Sequence, residues 1–397
     1  MRAADRAARA YANAEAILHL DIARQRLERL PPGAERDRRT LDVALRHAHS
    51  LYFLGRFRES VDVLQPHAAP LTRLDDPGLT AAYCFWLAHM YSRLGDQRRA
   101  TDSAYRAIDA ATSAGDRATL GKAHGLLALE GHWAGNAADG IAHGKEAIRL
   151  LRVCPDQQWW LGMAHFYVAM NHLHTGEFEA ALAEATNADT VGKEIGDPRL
   201  QTYAGFTAAW VEASRGNCET AVALSRGSRE QAPDRVSRAY ASMFFGYALL
   251  EAGDHRAARD QLKPIVTELE SFGFPQWQAW ASALTGETYR LDGALDVAAS
   301  FGERGLEMAW QARYWYAVGF AERIAGRIAR DRGYREESVA ALDRALDTFE
   351  RIRARFEAKR TSAEAASALG TSWDSPSPEG EIVRRVQPRR KRQRPRP

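Results

Sequence analysis

The chain has 397 residues, 45% hydrophobic and 26% charged, with a formal net charge of +3. That composition is ordinary for a soluble folded protein. No run of about 18 apolar residues offers a membrane span, and the charged N-terminus lacks the apolar stretch of a signal peptide. Cys84, Cys154 and Cys218 stand far apart, with no CxxC and no histidine at ligand spacing. The expectation is a reducing, cytoplasmic compartment in which cysteine is a small core residue.

Residues 3–30 are predicted as one helix, with Ala10, Ala14, Ile17, Leu18, Ala23, Leu27 and Leu30 toward one side. Pro31-Pro32 ends it, because proline lacks the N–H that a helix interior needs. This helix reads as the second half of a unit whose first helix is missing.

Eight glycines then mark the chain: Gly55, Gly95, Gly135, Gly176, Gly216, Gly253, Gly293 and Gly333, at steps of 40 residues apart from one of 41 and one of 37. Five residues after each glycine the side chain is small: Ser60, Ala100, Gly140, Ala181, Ala221, Ala258, Ala298 and Ser338. Seven before, it is small again: Ala48, Ala88, Ala128, Ala169, Ala209, Gly246, Gly286 and Gly326. A glycine between two fixed small positions is what a tight turn between closely crossing helices requires. Asp76, Asp116, Asp156, Asp197 and Asp234 are predicted N-caps of first helices, two of them followed by proline at the first helical position. Eight helix pairs therefore run from about 38 to 353, and 354–369 supplies a closing helix. Residues 1–370 are expected as one elongated solenoid domain. Residues 371–397 carry eight basic and three acidic side chains with little to bury, so they are expected to form a disordered basic tail.

The spacing of small residue, turn glycine and small residue resembles the tetratricopeptide repeat, whose unit is shorter at about 34 residues. Phe57 and Phe178 match the aromatic that often follows that family's turn glycine, while its early tryptophan is absent. The stretches AYANAEAILHLDIARQRLERLP (10–31) and RALDTFERIRARFEAKRTSAEAASAL (344–369) look like the two ends of the repeat region that follows the ATPase module in bacterial signalling proteins. In such proteins a nucleotidyl cyclase or DNA-binding domain often accompanies the ATPase. The resemblance implies an all-α, right-handed superhelical solenoid of about eight long tetratricopeptide-like helix pairs.

No catalytic constellation emerges. The nearest approaches to a phosphate loop fail in spacing: Gly115 to Gly121-Lys122 is followed by Ala123, and Gly140 to Gly144-Lys145 by Glu146. His165, His172 and His174 have no carboxylate at helical spacing to complete a metal site, and read as surface or core histidines of a second helix. No cofactor, no metal and no enzymatic activity are expected.

The tetratricopeptide resemblance implies that the residues 13, 10 and 6 before each turn glycine face the concave side. In the central units this lane reads Met163, Phe166, Met170, Tyr203, Phe206, Trp210, Tyr240, Met243, Tyr247 and Trp280. At the ends it reads Asp42, Leu45 and His49, and Phe320, Arg323 and Arg327. Two readings stand. Phe166, Met170, Tyr203, Phe206, Trp210, Tyr240, Met243, Tyr247 and Trp280 line a groove for a protein partner or apolar ligand, or a tight superhelix packs them on one another as core. Trp159-Trp160 and Tyr314-Trp315-Tyr316 are read as packing at joints between units. The terminal RRVQPRRKRQRP either attracts RNA, DNA or anionic lipid without specificity or only solubilises. The expected function is a non-catalytic protein-interaction or ligand-sensing module, the regulatory arm of a bacterial signalling ATPase or adenylate/guanylate cyclase. The alternatives are an independent adaptor and a nucleic-acid-associated protein acting through its tail.

Overall fold

The computed structural model describes residues 2–9 and 12–370. The expected tail, and Ala10 of the first expected helix, lie outside the described residues. An opening hairpin, α1 (Arg2–Arg9) and α2 (Asn13–Glu28), precedes the repeats. The eight pairs follow, the first of them α3 (Ala34–Phe53) with a second helix split into α4 (Phe57–Leu64) and α5 (Ala68–Leu74). Next come α6 (Pro77–Arg93) with α7 (Gln97–Ala114), α8 (Arg117–Ala134) with α9 (Ala137–Leu151), and α10 (Gln158–Thr175) with α11 (Phe178–Ile195). Units five to eight are α12 (Pro198–Ser214) with α13 (Cys218–Gln231), α14 (Arg235–Glu251) with α15 (His255–Phe272), α16 (Pro275–Leu291) with α17 (Leu295–Gln311), and α18 (Trp315–Asp331) with α19 (Arg335–Arg351). The closing helix is α20 (Arg355–Gly370).

The turn inside each pair follows from backbone sterics. All eight marker glycines sit at positive φ, between 70° and 85°, where an L side chain is strained. The residue after each glycine donates its N–H back to a carbonyl in the last turn of the first helix, as from Asn136 to Gly131 O at 2.8 Å and from Tyr334 to Ala329 O at 2.9 Å. This is a helix C-cap that satisfies otherwise orphaned carbonyls. The two small positions meet across the hairpin, where Ser60 Oγ donates to Ala48 O at 3.1 Å and Ser338 Oγ to Gly326 O at 2.8 Å. Asp76, Asp116, Asp197 and Asp234 cap first helices, each carboxylate accepting from the amide three residues on at 2.9–3.0 Å.

Three local expectations are corrected. Asp156 is not a cap: Pro155–Gln157 form a 3-10 turn and α10 begins at Gln158, because Pro155 fixes the backbone one residue too early. The stretch 3–30 divides into α1 and α2. Ala12 leaves helical geometry (φ −81°, ψ 57°), and Ala4 of α1 packs with Leu20 and Val43. Leu18 and Leu30 are consequently exposed, while Ala16 and Leu20 face inward. The first pair's second helix breaks at the 3-10 turn Gln65–His67, where Pro66 removes a donor.

The solenoid is not an extended rod. The turn glycines of the first four units lean on later units: Gly55 on Phe272, Gly95 on Pro275 and Ala312, Gly135 on Trp315 and Ile352, and Gly176 on Phe356. The superhelix thus winds until units one to four touch units six to eight and α20. Gln276 Nε2 crosses this seam to Ser92 O at 2.6 Å, between residues 184 positions apart.

Two expected outcomes follow from this packing. Ala100 and Ala221 are completely buried where helices cross, so Ala100→Leu or Ala221→Leu should each lower the unfolding free energy by about 1–3 kcal/mol in urea denaturation. Glycine-to-alanine changes separate turn from seam. At Gly216 nothing lies near an added Cβ, and the substitution should cost about 1 kcal/mol of backbone strain. At Gly135 the Cβ would stand within 2.4 Å of Ile352 Cγ2, so that variant should cost about 2–4 kcal/mol. Equal losses at the two glycines would mean that the seam is not closed in solution.

Candidate functional site

The concave lane is where the sequence places the site, and the fold turns all nine of its named residues inward. Phe166, Met170, Tyr203, Phe206, Trp210, Tyr240, Met243, Tyr247 and Trp280 are all buried, none more than 7% exposed. Their rings pack at a tilt along the lane, Phe166 against Tyr203 at 5.3 Å between centroids, Trp210 against Trp280 at 4.8 Å, and Tyr247 against Trp280 at 5.3 Å. Of the two readings, the packed one describes this conformation: the lane is a filled lumen rather than an open groove. Closure of the seam brings the opposite wall within ring contact: Trp133 meets Phe274 at 5.9 Å and His174 meets Tyr316 at 4.0 Å.

That opposite wall was not identified as part of the lane. Trp133 lies 4.9 Å from Tyr314 and 5.0 Å from Trp277, and His132 stacks on His174 at 3.9 Å. Tyr314 and Tyr316 are joint residues, as expected, and they also face the lumen. The signal for Trp133 was its size just before the Gly135 turn; its partners are visible only once the superhelix closes. A cavity of about 10 Å³, room for roughly one water molecule, remains between Arg93, Trp133, Tyr203, Phe206, Tyr240 and Trp277.

Polar groups are threaded through this apolar interior. Arg93 Nη2 donates to Tyr52 OH at 3.1 Å, and its guanidinium rests over the rings of Phe274 and Tyr52. Trp133 Nε1, Trp210 Nε1, Trp280 Nε1, Tyr240 OH, Tyr314 OH and both ring nitrogens of His174 hydrogen-bond no protein group among the described residues. Desolvation by burial pushes the Glu130 carboxyl up to about 7. The same cause pushes His132 down to about 3 and His49 down to about 4, and takes His89 and His174 well below the usual imidazole range.

The C-terminal end of the lumen is ionic, as the lane's Arg323 and Arg327 implied. Arg323 pairs with Glu357 at 2.6 Å, both nearly inaccessible, and Arg327 bridges Glu287 at 2.8 Å and Glu364. Arg360 reaches Glu251 at 3.1 Å.

The other candidates disperse. His165, His172 and His174 lie on α10, a first helix rather than a second, and go three ways: His165 to Glu184 at 2.5 Å, His172 to Glu177 at 2.5 Å, and His174 into the lumen. Among the described residues no group of three histidine, cysteine, aspartate or glutamate side chains is arranged to hold a metal ion. Gly121-Lys122 and Gly144-Lys145 lie inside α8 and α9, where backbone amides are committed to the helix. No helix among the described residues is long and apolar enough to cross a membrane. Cys84 is buried, while Cys154 and Cys218 are half-buried, and all three are free thiols.

No protein-family model and no curated protein matches the chain. Solved structures do. The crystal structure of a Rap protein complexed with competence and sporulation factor is similar at a TM-score of 0.57 and 14% identity, over 85% of this chain and 98% of that one. The Rap conjugation gene regulator of plasmid pLS20, in complex with the Phr* peptide, gives 0.58 and 13%, over 83% and 98%. The apo form of RapI gives 0.52 and 14%, over 68% and 98%. At these identities the likeness shows a common helical-repeat fold.

The buried imidazoles make stability depend on acid. An imidazole whose native pKa lies below its unfolded value, about 6.5, leaves stability intact above that pH and withdraws it as pH falls toward the native value. Glu130 acts in the opposite sense, its contribution present below about 4.5 and lost as pH rises through 7, but one carboxyl faces four imidazoles. The unfolding free energy should hold steady near pH 8 and fall between pH 6.5 and 4.5, by up to about 1.4 kcal/mol per pH unit for each imidazole. His174→Phe keeps a ring against Tyr316 and should reduce that slope by one proton. An unchanged slope would show that His174 is not buried neutral.

Proposed function

We propose that the chain is a non-catalytic regulatory module whose tetratricopeptide-like solenoid receives a peptide or protein segment in its aromatic lumen. The observation that carries this reading is the set of polar atoms along the lumen without a protein partner: Trp133 Nε1, Trp210 Nε1, Trp280 Nε1, Tyr240 OH and Tyr314 OH. A core built only for stability leaves few such atoms, since each costs about 1–3 kcal/mol when buried unpaired. An extended peptide backbone offers carbonyls and amides at a regular spacing that match them. Phe166, Met170, Tyr203, Phe206, Trp210, Tyr240, Met243, Tyr247 and Trp280 would then form the binding surface, exposed when the seam between units one to four and units six to eight parts. Support also comes from the neighbouring folds, two of which were solved with a bound factor or peptide. The finer reading, an arm of a signalling ATPase or nucleotidyl cyclase, is supported only by the likeness of residues 10–31 and 344–369 to the ends of such arms.

Selection of random peptides displayed on phage, with the purified protein as bait, tests the proposal. Selected peptides should bind wild type and lose about tenfold or more in affinity on Tyr240→Phe combined with Trp210→Phe. Those substitutions remove unpaired polar atoms while keeping rings; Trp210→Phe also leaves a void, so the free variant should lose about 1–3 kcal/mol, and circular dichroism should show it still folded. Failure to select any peptide, or equal binding by the ring-conserving variant, would refute the lumen as receptor.

A further inference from the structure

The lumen ends, at the N-terminal side, in a cluster of rings and cations at the edge of the packed core. Along the inner lane of units one to five stand His49 of α3, Phe85 and Trp86 of α6, Lys122 of α8, Trp159 and Trp160 of α10, and Arg199 of α12. They form one continuous surface. His49 lies 5.3 Å from Trp86, Trp86 lies 6.1 Å from Trp160, Phe85 lies 5.0 Å from Trp160, and Trp160 lies 4.7 Å from Trp159. Phe53 joins Trp159 at 5.7 Å to the Arg199 guanidinium, seated 3.7 Å above its ring. Trp86, Trp159, Trp160 and Lys122 are only half-buried, unlike the rings deeper in the lumen.

One cation of this mouth, Lys122, lacks a direct ion pair among the described residues. Arg199 pairs with Asp234 at 2.7 Å, and Arg46 with Asp42 at 3.1 Å and with Asp5. Lys122 has no carboxylate within ion-pair distance among the described residues. Its ammonium sits 5.3 Å from the Phe85 centroid and 6.0 Å from that of Trp160. The near acidic group, Asp116, is occupied as the α8 cap, accepting from Thr119 N at 3.0 Å. Burial depresses the pKa of His49 most, and Arg199, Lys122 and Arg46 depress it further. An ammonium without an ion pair, set over Phe85 and beside the half-buried Trp160, matches a carboxylate next to an apolar side chain.

Resting on the reading of the lumen as a segment receptor, we infer that its mouth selects an acidic peptide segment, with Lys122 pairing a glutamate or aspartate and Trp86, Trp159 and Trp160 holding the apolar side chain beside it. Lys122 here determines specificity for the segment. It does so through charge, so the contact is weakened by salt and survives exchange for another cation of similar reach.

The probe is the blocked pentapeptide Glu-Glu-Phe-Glu-Glu, titrated at up to millimolar concentration against the protein's tryptophan fluorescence, beside its Gln-Gln-Phe-Gln-Gln counterpart. The acidic peptide should perturb the fluorescence and bind at least about tenfold more tightly than the neutral one, less so as salt is raised. Lys122→Met, which keeps a straight side chain on the Phe85 ring, should bring the acidic peptide down to the neutral one's affinity. Lys122→Arg should restore it, with circular dichroism melts checking that both variants fold. Equal binding of the two peptides, wild-type affinity in Lys122→Met, no binding of the acidic peptide, or its displacement by oligouridylate would each overturn the inference. In any of those cases, a lumen reading that still passes the test with Tyr240→Phe and Trp210→Phe stands by itself.

Discussion

The close approach of four glycines to distant turns governs the rest of this molecule. At Gly55, Gly95, Gly135 and Gly176 an added methyl would stand 2.4–3.2 Å from a side chain of a later unit, while at Gly216, Gly253 and Gly293 it would meet nothing. The same residue thus has two functions by position. In every unit it supplies the left-handed turn; in the first four it also admits the returning superhelix. Without that admission the inner lane would remain an exposed aromatic stripe.

Closure converts a surface into an interior, and the chemistry of the lane changes accordingly. Rings that would have lined a groove now interlock from both walls, leaving a cavity of about 10 Å³. Imidazoles there are held neutral because burial penalises their charge, and Glu130 is held toward its acid form for the same reason. Among the described residues the indoles of Trp133, Trp210 and Trp280 and the hydroxyls of Tyr240 and Tyr314 have no protein acceptor.

Charge is distributed along the axis rather than around it. At the C-terminal end every buried arginine has its carboxylate, as with Arg323 and Glu357, each 2% exposed, where removal of one partner would leave the other uncompensated. At the N-terminal mouth Lys122 has rings beneath it and no ion-pair partner among the described residues. Among the described residues the solenoid therefore has one end where buried arginines are ion-paired and another where one ammonium is not.

Much of this was legible because it is local. A left-handed turn every 40 residues, small side chains five after and seven before it, and aspartate caps are set by sterics and hydrogen bonds within a few residues, so the eight helix pairs could be read directly from the chain. Local competition explains the misreadings as well: Pro155 displaces the cap from Asp156, and Ala4 folding onto Leu20 and Val43 accompanies the division of the first helix. The lane itself came from the tetratricopeptide resemblance rather than from any local pattern. Whether that lane is a groove or a filled lumen was not legible, because it depends on small rotations between units that accumulate around the superhelix. Only tertiary structure brings Trp133 against Tyr314, carries Gln276 to Ser92 and leaves Lys122 on its aromatic shelf, since each of those partners belongs to another unit and no local pattern encodes the distance between them.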